Sequence, residues 1–341
     1  MPISQIGTAS ISGLGYGFKN RIINGAMMID QRNAGASVTP TSDGLYSLDR
    51  WQYSISQASK FSIQQNAGSV TPPAGYTNYL GVTSLSAYSV ISSDLFVIQQ
   101  NIEGLNCSDL AWGTANAVTV TLSFWVRSSL TGTFGGSLRN NDSSRSYPFS
   151  FTISSANTWE QKTVTIAGDT TGTWLTTNGT GIRVTFSLGM GSTRSGTAGA
   201  WAAGAYWSTT GATSVVGTSG ATFYITGVQL EAGTVAISFD YRPYGTELAL
   251  CQRYYLTVAG QVFNSEGYYN LAGYGIHRGT ALPVQMRAAP TITAPTTSAS
   301  GNVGSIVFTG YVNGIYMSGS TTSSGNGYIY FTGSALASIE L

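Results

Sequence analysis

Val118-Thr119-Val120-Thr121-Leu122-Ser123-Phe124-Trp125-Val126 places an apolar side chain at every second position. An extended chain sends alternate residues to opposite faces, so Val118, Val120, Leu122, Phe124 and Val126 predict one buried face of a strand. The same period returns in Tyr147, Phe149, Phe151 and Ile153, in Ile182, Val184, Phe186 and Leu188, and in Val164 and Ile166. Near Phe223 and Ile225 the apolar positions are odd, whereas Val228 and Leu230 are even. That change of parity predicts a β-bulge at Thr226-Gly227. Thr131-Gly132, Asn140-Asn141-Asp142, Gly168-Asp169 and Asn178-Gly179 punctuate these runs at the spacing of a sandwich or jelly roll, and no βαβ alternation competes.

Composition agrees with an all-β chain. Among 341 residues, 42% are hydrophobic but only 9% are charged, against about 25% in an average globular protein. Ser, Thr, Asn and Gln must therefore supply the surface, and 43 glycines imply many turns and bulges. Fifteen Lys and Arg against fourteen Asp and Glu leave a net charge of +1 without a basic cluster, which argues against nucleic acid as a partner. Residues Met1 to Lys19 show no cationic start followed by an apolar run, and no long apolar stretch occurs, so neither a secretion signal nor membrane insertion is expected. Cys107 and Cys251 fit no C-x-x-C pattern and are expected as buried thiols.

One segment, Thr246 to Tyr255, reads as a helix. Thr246 is placed to cap it, Glu247 and Arg253 to complement its dipole, and Leu248, Cys251 and Tyr255 to share a face. This connector, residues 244–255, would join a jelly-roll domain over residues 20–243 to a smaller C-terminal β domain over 256–341. In the latter, Pro290 to Pro295 predicts an edge strand, Gly304 to Phe308 a further strand, and Ala335 to Leu341 a closing one.

The junctions carry a family resemblance. Asn20-Arg21-Ile22-Ile23-Asn24-Gly25-Ala26-Met27-Met28-Ile29-Asp30-Gln31-Arg32, continued by Leu48-Asp49-Arg50-Trp51, resembles the opening of a module of bacteriophage tail fibres and related virion proteins. Leu122 to Ser128 and Gly227 to Gly233 are similar to inner and closing strands of that module. Tyr241-Arg242-Pro243-Tyr244-Gly245-Thr246-Glu247-Leu248-Ala249-Leu250-Cys251-Gln252-Arg253-Tyr254-Tyr255 resembles its domain junction almost residue for residue, and Pro283 to Pro290 a segment that follows it. The family's Pro-Phe-Glu before the junction is here Ser238-Phe239-Asp240. The resemblance implies a carbohydrate-binding-module-like sandwich in a homotrimer that attaches a virion to its host. Residues 1–19 would dock it to other tail or capsid proteins, and a host surface glycan would be its ligand. The expected location is the virion, after assembly in the host cytoplasm. A capsid decoration or tail adaptor subunit without glycan affinity is the alternative, and a glycan depolymerase a third reading.

Chemistry-bearing patterns are sparse. His277 is the only histidine, with no G-x-S-x-G elbow to serve it, and is read as a surface or hydrogen-bonded residue. Glu231 and Glu247 fall in the junction motifs, where strand closure and helix capping account for them, so no enzyme activity is expected. Neither D-x-D-x-D-G nor H-E-x-x-H occurs. Asn140, Asn141 and Asp142 would be the donors of a structural calcium ion, with a solvated turn the favoured alternative, and no other cofactor is expected. Sugars ask for flat aromatic faces beside neutral hydrogen-bonding groups. Trp174, Trp201, Tyr206 and Trp207 lie in loop-like stretches, unlike Trp125 and Trp159, which read as strand residues, and are candidates for glycan contact or for plugging the sandwich ends. Tyr268, Tyr269 and Tyr274 crowd around Gly267, Gly273 and His277. They would form either a receptor-binding tip or a trimer seam.

Overall fold

The computed structural model describes residues 19–341. The expected docking segment, residues 1–19, lies outside the described residues apart from Lys19. In chain order the first strands are β1 (Tyr46–Leu48), β2 (Trp51–Ile55), β3 (Phe61–Gln65), β4 (Leu80–Ser84), β5 (Leu95–Glu103), β6 (Val120–Ser128), β7 (Gly132–Arg139), β8 (Arg145–Ile153), β9 (Glu160–Ile166), β10 (Thr180–Met190), β11 (Ser195–Gly196), β12 (Ala202–Ala203), β13 (Ser208–Thr209) and β14 (Thr222–Ala232). A seven-stranded sheet runs β1-β2-β5-β10-β7-β8-β12 and faces a five-stranded sheet β3-β4-β14-β6-β9. Successive strands cross repeatedly from one sheet to the other, as in a jelly roll.

The alternation at the centre of β6 decides this packing. Val120, Leu122, Phe124 and Val126 are all fully buried, each worth about 1.5–3 kcal/mol of apolar burial. Phe124 meets Phe151 of β8 and Phe186 of β10 edge-on, both at 5.0 Å between ring centroids, and so joins the two sheets. The polar face of β6 is covered as well: Thr121 and Ser123 are buried, and Thr121 Oγ1 donates to the Gly233 carbonyl at 2.8 Å. In β14 the register shifts between Thr226 and Gln229, which is the bulge that the change of parity predicts. Gly227 sits there at φ +61°, and a Cβ on it would come 2.6 Å from the Tyr76 hydroxyl.

The Asn-Arg-Ile-Ile-Asn-Gly opening is built into this sandwich. Asn20 Oδ1 accepts from the amides of Ile22 and Leu230, while its Nδ2 donates to the Val228 carbonyl. Asn24 closes a loop by exchanging bonds with the backbone of Ile29 and donating to the Asp49 carbonyl. Trp159, read as a strand residue, lies just before β9 and packs edge-on against Tyr79 at 5.5 Å. Asn140 and Asp142 hold a turn, the favoured reading of this stretch. Asn140 Oδ1 accepts from the Arg145 amide, and Asp142 Oδ1 accepts from the Ser144 amide and hydroxyl, bonds that hold the Asp142 carboxyl below its ordinary pKa. Cys107 and Cys251 are unpaired and buried.

The connecting helix α1 spans Tyr244–Gln252. It starts earlier than Thr246 predicts: Pro243 occupies the cap position and no side chain caps the end. Glu247 instead turns inward, accepting from the Asn24 amide, with Arg242 Nη1 3.3 Å from its carboxylate. Because the helix stops at Gln252, Tyr254 rather than Tyr255 joins Cys251 and Leu248 against Ile23 and Ile29. Arg253 pairs with Glu103 at 2.9 Å, and the Tyr254 hydroxyl donates to the same carboxylate at 2.7 Å.

Beyond it come β15 (Tyr255–Ala259), β16 (Ser265–Tyr269), β17 (Gly275–Ala281), β18 (Thr291–Thr293), β19 (Thr296–Gly301), β20 (Val307–Tyr311), β21 (Gly314–Ser320), β22 (Gly325–Thr332) and β23 (Ser334–Ser338). They form three three-stranded antiparallel sheets, β15-β23-β18, β16-β22-β19 and β17-β21-β20. All three contribute to one core: Ala335 and Ala337 from the first, Ile329 and Phe331 from the second, Ile276, Ile315 and Met317 from the third. The unit is thus a small prism with sheet faces turned outward. The strand expected at Gly304 begins at Val307, because the Gly304 amide is drawn to the Ser320 carbonyl. The strand expected to reach Leu341 ends at Ser338, where the chain turns to place Glu340 on the sandwich.

Candidate functional site

The prism presents an open groove between β16 and β22. In the β16–β22 register Glu266 faces Tyr328 and Tyr268 faces Asn326, so these four side chains share a face. Tyr330 follows Tyr328 on that face, while Ile329 and Phe331 point into the core. Together with Gly267 and Gly327 they line a groove of about 560 Å³. Tyr268 is 71% exposed and Tyr328 39%. The rings of Tyr328 and Tyr330 lie 5.9 Å apart and 32° from parallel. The Tyr330 hydroxyl donates to Glu266, a bond that raises the phenol's pKa above its ordinary value. The arrangement supplies two exposed phenol rings, a carboxylate and an amide over a glycine floor.

Of the eight sequence candidates, Tyr268 alone lines this groove. Tyr269, its neighbour, is sent to the opposite face by the strand period and lies across Gly327. Tyr274 packs on Tyr269 at 5.3 Å, outside the groove. His277 belongs to a different sheet, where its ring stacks on Tyr316 at 5.7 Å and 17°. Trp174 and Trp201 meet Trp112 in a three-way edge-on cluster with centroid distances of 4.8, 5.3 and 5.4 Å, and Tyr147 closes it at 5.2 Å. Each indole N–H donates to a backbone carbonyl, those of Val118, Thr171 and Ala167. Their faces and donors are therefore used within the fold. Tyr206 lies over Gly196, and Trp207 stacks on the Arg139 guanidinium at 3.3 Å, both on a flap across the seven-stranded sheet.

Glu266, Asn326, Tyr328 and Tyr330 were not among the candidates. Their local signal is the same period two, Glu266/Tyr268 and Tyr328/Tyr330, but their assembly depends on a pairing across some sixty residues.

No family model matches the chain, and no curated protein matches it. Among solved structures it is similar to the enzymatically active domain of tailspike protein 4 of bacteriophage CBA120 (10% identity, TM-score 0.33, 57% of this chain and 22% of that one). It is also similar to a family 11 carbohydrate-binding module from Clostridium thermocellum in complex with a β-1,3-1,4-mixed-linked tetrasaccharide (9%, 0.29, 59% and 98%). A third similar structure is TmCBM61 in complex with β-1,4-galactotriose (12%, 0.26, 54% and 88%). The chain spans about a fifth of the length of the tailspike domain. Overlap this slight bears on neither ligand nor partner, and the sandwich rests on its own strand order.

Proposed function

We propose that the chain is a non-enzymatic glycan-binding subunit of a phage tail fibre or other virion appendage. In this reading it attaches the particle to a host surface saccharide through the groove of Tyr268, Tyr328, Glu266 and Asn326. The carrying observation is the exposure of phenol rings beside a carboxylate and an amide, a surface that stacks on the C–H face of a sugar while bonding its hydroxyls. The resemblance of the junction motifs supports the virion setting, with residues 1–19 as the docking segment. We further propose that three copies assemble, since Tyr268, Tyr311 and Tyr274 leave aromatic surface on the prism that a neighbouring subunit could cover.

A glycan array with the full chain, alongside Tyr268→Ala and Tyr328→Ala, tests the reading. Binding that both substitutions weaken about tenfold supports it, the order expected from losing one aromatic stack plus its contacts. If instead no glycan binds and both substitutions convert a trimer to monomers in light scattering, the groove is a subunit seam. Release of reducing ends from host polysaccharide would overturn the non-enzymatic assignment.

A further inference from the structure

The outer face of the seven-stranded sheet carries positive charge that the fold does not neutralise. Arg139 on β7 stands directly opposite Arg183 on β10. Like charges at such a position destabilise a sheet. Arg194 adds a third guanidinium, and burial together with Arg183 and Arg194 drives the pKa of Arg139 well down. None of the three belongs to an ion pair among the described residues. Arg139 is 0% exposed, yet its bonds go only to neutral oxygens: Ser143 Oγ at 2.8 Å, Gln99 Oε1 at 3.0 Å and Thr185 Oγ1 at 3.3 Å. Arg183 reaches only Asn141 Oδ1 at 3.5 Å.

Unused donors converge on the same place. The Nε atoms of Arg139 and Arg183 and the indole Nε1 of Trp207 are buried without partners, as are the hydroxyls of Ser137, Ser187 and Ser208. Ser137 shares a face with Arg139 and is the register partner of Thr185, while Ser208 closes over Gly135 one step along β7. Trp207 is held there by its stack on Arg139 and by the hydrogen bond that its backbone N–H donates to the Arg194 carbonyl at 2.7 Å. Arg183, Arg194 and Trp207 are half-buried, so the cluster is open to solvent along one side. Buried cations without counter-charge are costly, and an arginine fork is shaped for a carboxylate.

We propose that Arg139, Arg183, Arg194 and Trp207 form a second binding site, for the carboxylate of an acidic saccharide such as a uronic acid. The carboxylate bonds Arg183 and Arg194, and Arg139 holds positive charge beneath it. The site is on the sandwich and is independent of the tyrosine groove, so either can fail alone.

The test is calorimetric titration of the full chain with an oligogalacturonate, a neutral oligosaccharide of equal length, and inorganic phosphate. The variants are Arg183→Gln and Arg194→Gln, at half-buried positions, with Tyr268→Ala as the groove control. The expected result is saturable uronate binding that weakens about tenfold or more in each arginine variant, persists in Tyr268→Ala and falls with added salt. The oligogalacturonate should also raise the melting temperature of the wild type and not of the double arginine variant. Absence of uronate binding, uronate binding equal in the double variant, or saturation by phosphate with none by uronate would overturn the proposal.

Discussion

Glu340 reaches back to Arg50, a side chain only 1% exposed on the sandwich, and binds its guanidinium. The same carboxylate binds Arg32, so one residue after the last strand holds two arginines of the N-terminal half. Arg50 is sandwiched further by the Tyr254 ring at 3.6 Å and donates to the Asn101 carbonyl at 2.5 Å. Removing the carboxylate leaves a buried guanidinium uncompensated, a change that costs about 3–5 kcal/mol. Glu340→Gln is therefore expected to lower the urea midpoint strongly, and an unchanged midpoint would falsify the role of Glu340 as the clamp between prism and sandwich.

Asp49 lies in the same contact region, buried, accepting from the Gln31 amide and from Gln31 Nε2, both at 2.7 Å. Burial pushes its carboxyl up to about 6 from the ordinary 3.8, against the pull of the Gln31 bonds and Arg32. Between these values the folded protein holds a proton that the unfolded chain has released. The contribution of Asp49 is thus fully present below about pH 4 and is lost as pH rises through about 6, a loss of roughly 2–3 kcal/mol. Asp49→Asn should flatten the stability profile over that window. Denaturation at a series of pH values checks it, and an equally steep profile in the variant would place the titration elsewhere.

Sequence reading succeeds where the deciding information is local. Four apolar residues in β6, and the parity change around Gly227, identify strands and a bulge because the period of an extended chain is written in adjacent residues. The start of α1 is less legible: Thr246 is a better cap than Pro243 by type, but Glu247 is claimed by Asn24 and Arg242 from outside the helix. The groove is least legible. Tyr268 and Tyr269 look equivalent until register sends one outward and the other across Gly327, and Tyr328 joins Tyr268 only through strand pairing. Trp174 and Trp201 are open to two readings for the converse reason. Their glycine-rich surroundings read as open loops, while Trp112, distant in sequence, draws them into a packed cluster.

That cluster gives a contrasting prediction. Trp201 touches Trp112, Trp174 and Tyr147 and packs on the sandwich core, so Trp201→Ala should cost about 3 kcal/mol, the lower end of the range for a large aromatic because the ring is only partly buried. Glycan affinity should stay unchanged. Thermal melting and the array measured on one preparation separate the outcomes, and a loss of affinity without loss of stability would move the sugar site to the sandwich end.

Gly301 offers the finest test of the groove itself. It is the register partner of Tyr328 on β19, and a Cβ there would come 2.6 Å from Tyr328 Cε1 and 2.9 Å from Cζ. The ring lies across the glycine, so glycine at 301 lets Tyr328 take its present position beside Tyr330. The backbone at Gly301 is not in the left-handed region, and alanine in a strand gains about 0.5–1 kcal/mol over glycine through the unfolded chain. Gly301→Ala should therefore leave stability level or slightly raised while displacing the Tyr328 ring. If the ring stacks on sugar, affinity falls about as far as in Tyr328→Ala, with the mass in light scattering unchanged. If the ring fills a subunit seam, the same substitution lowers the mass in light scattering instead. An alanine variant that alters neither affinity nor assembly would remove Tyr328 from both roles.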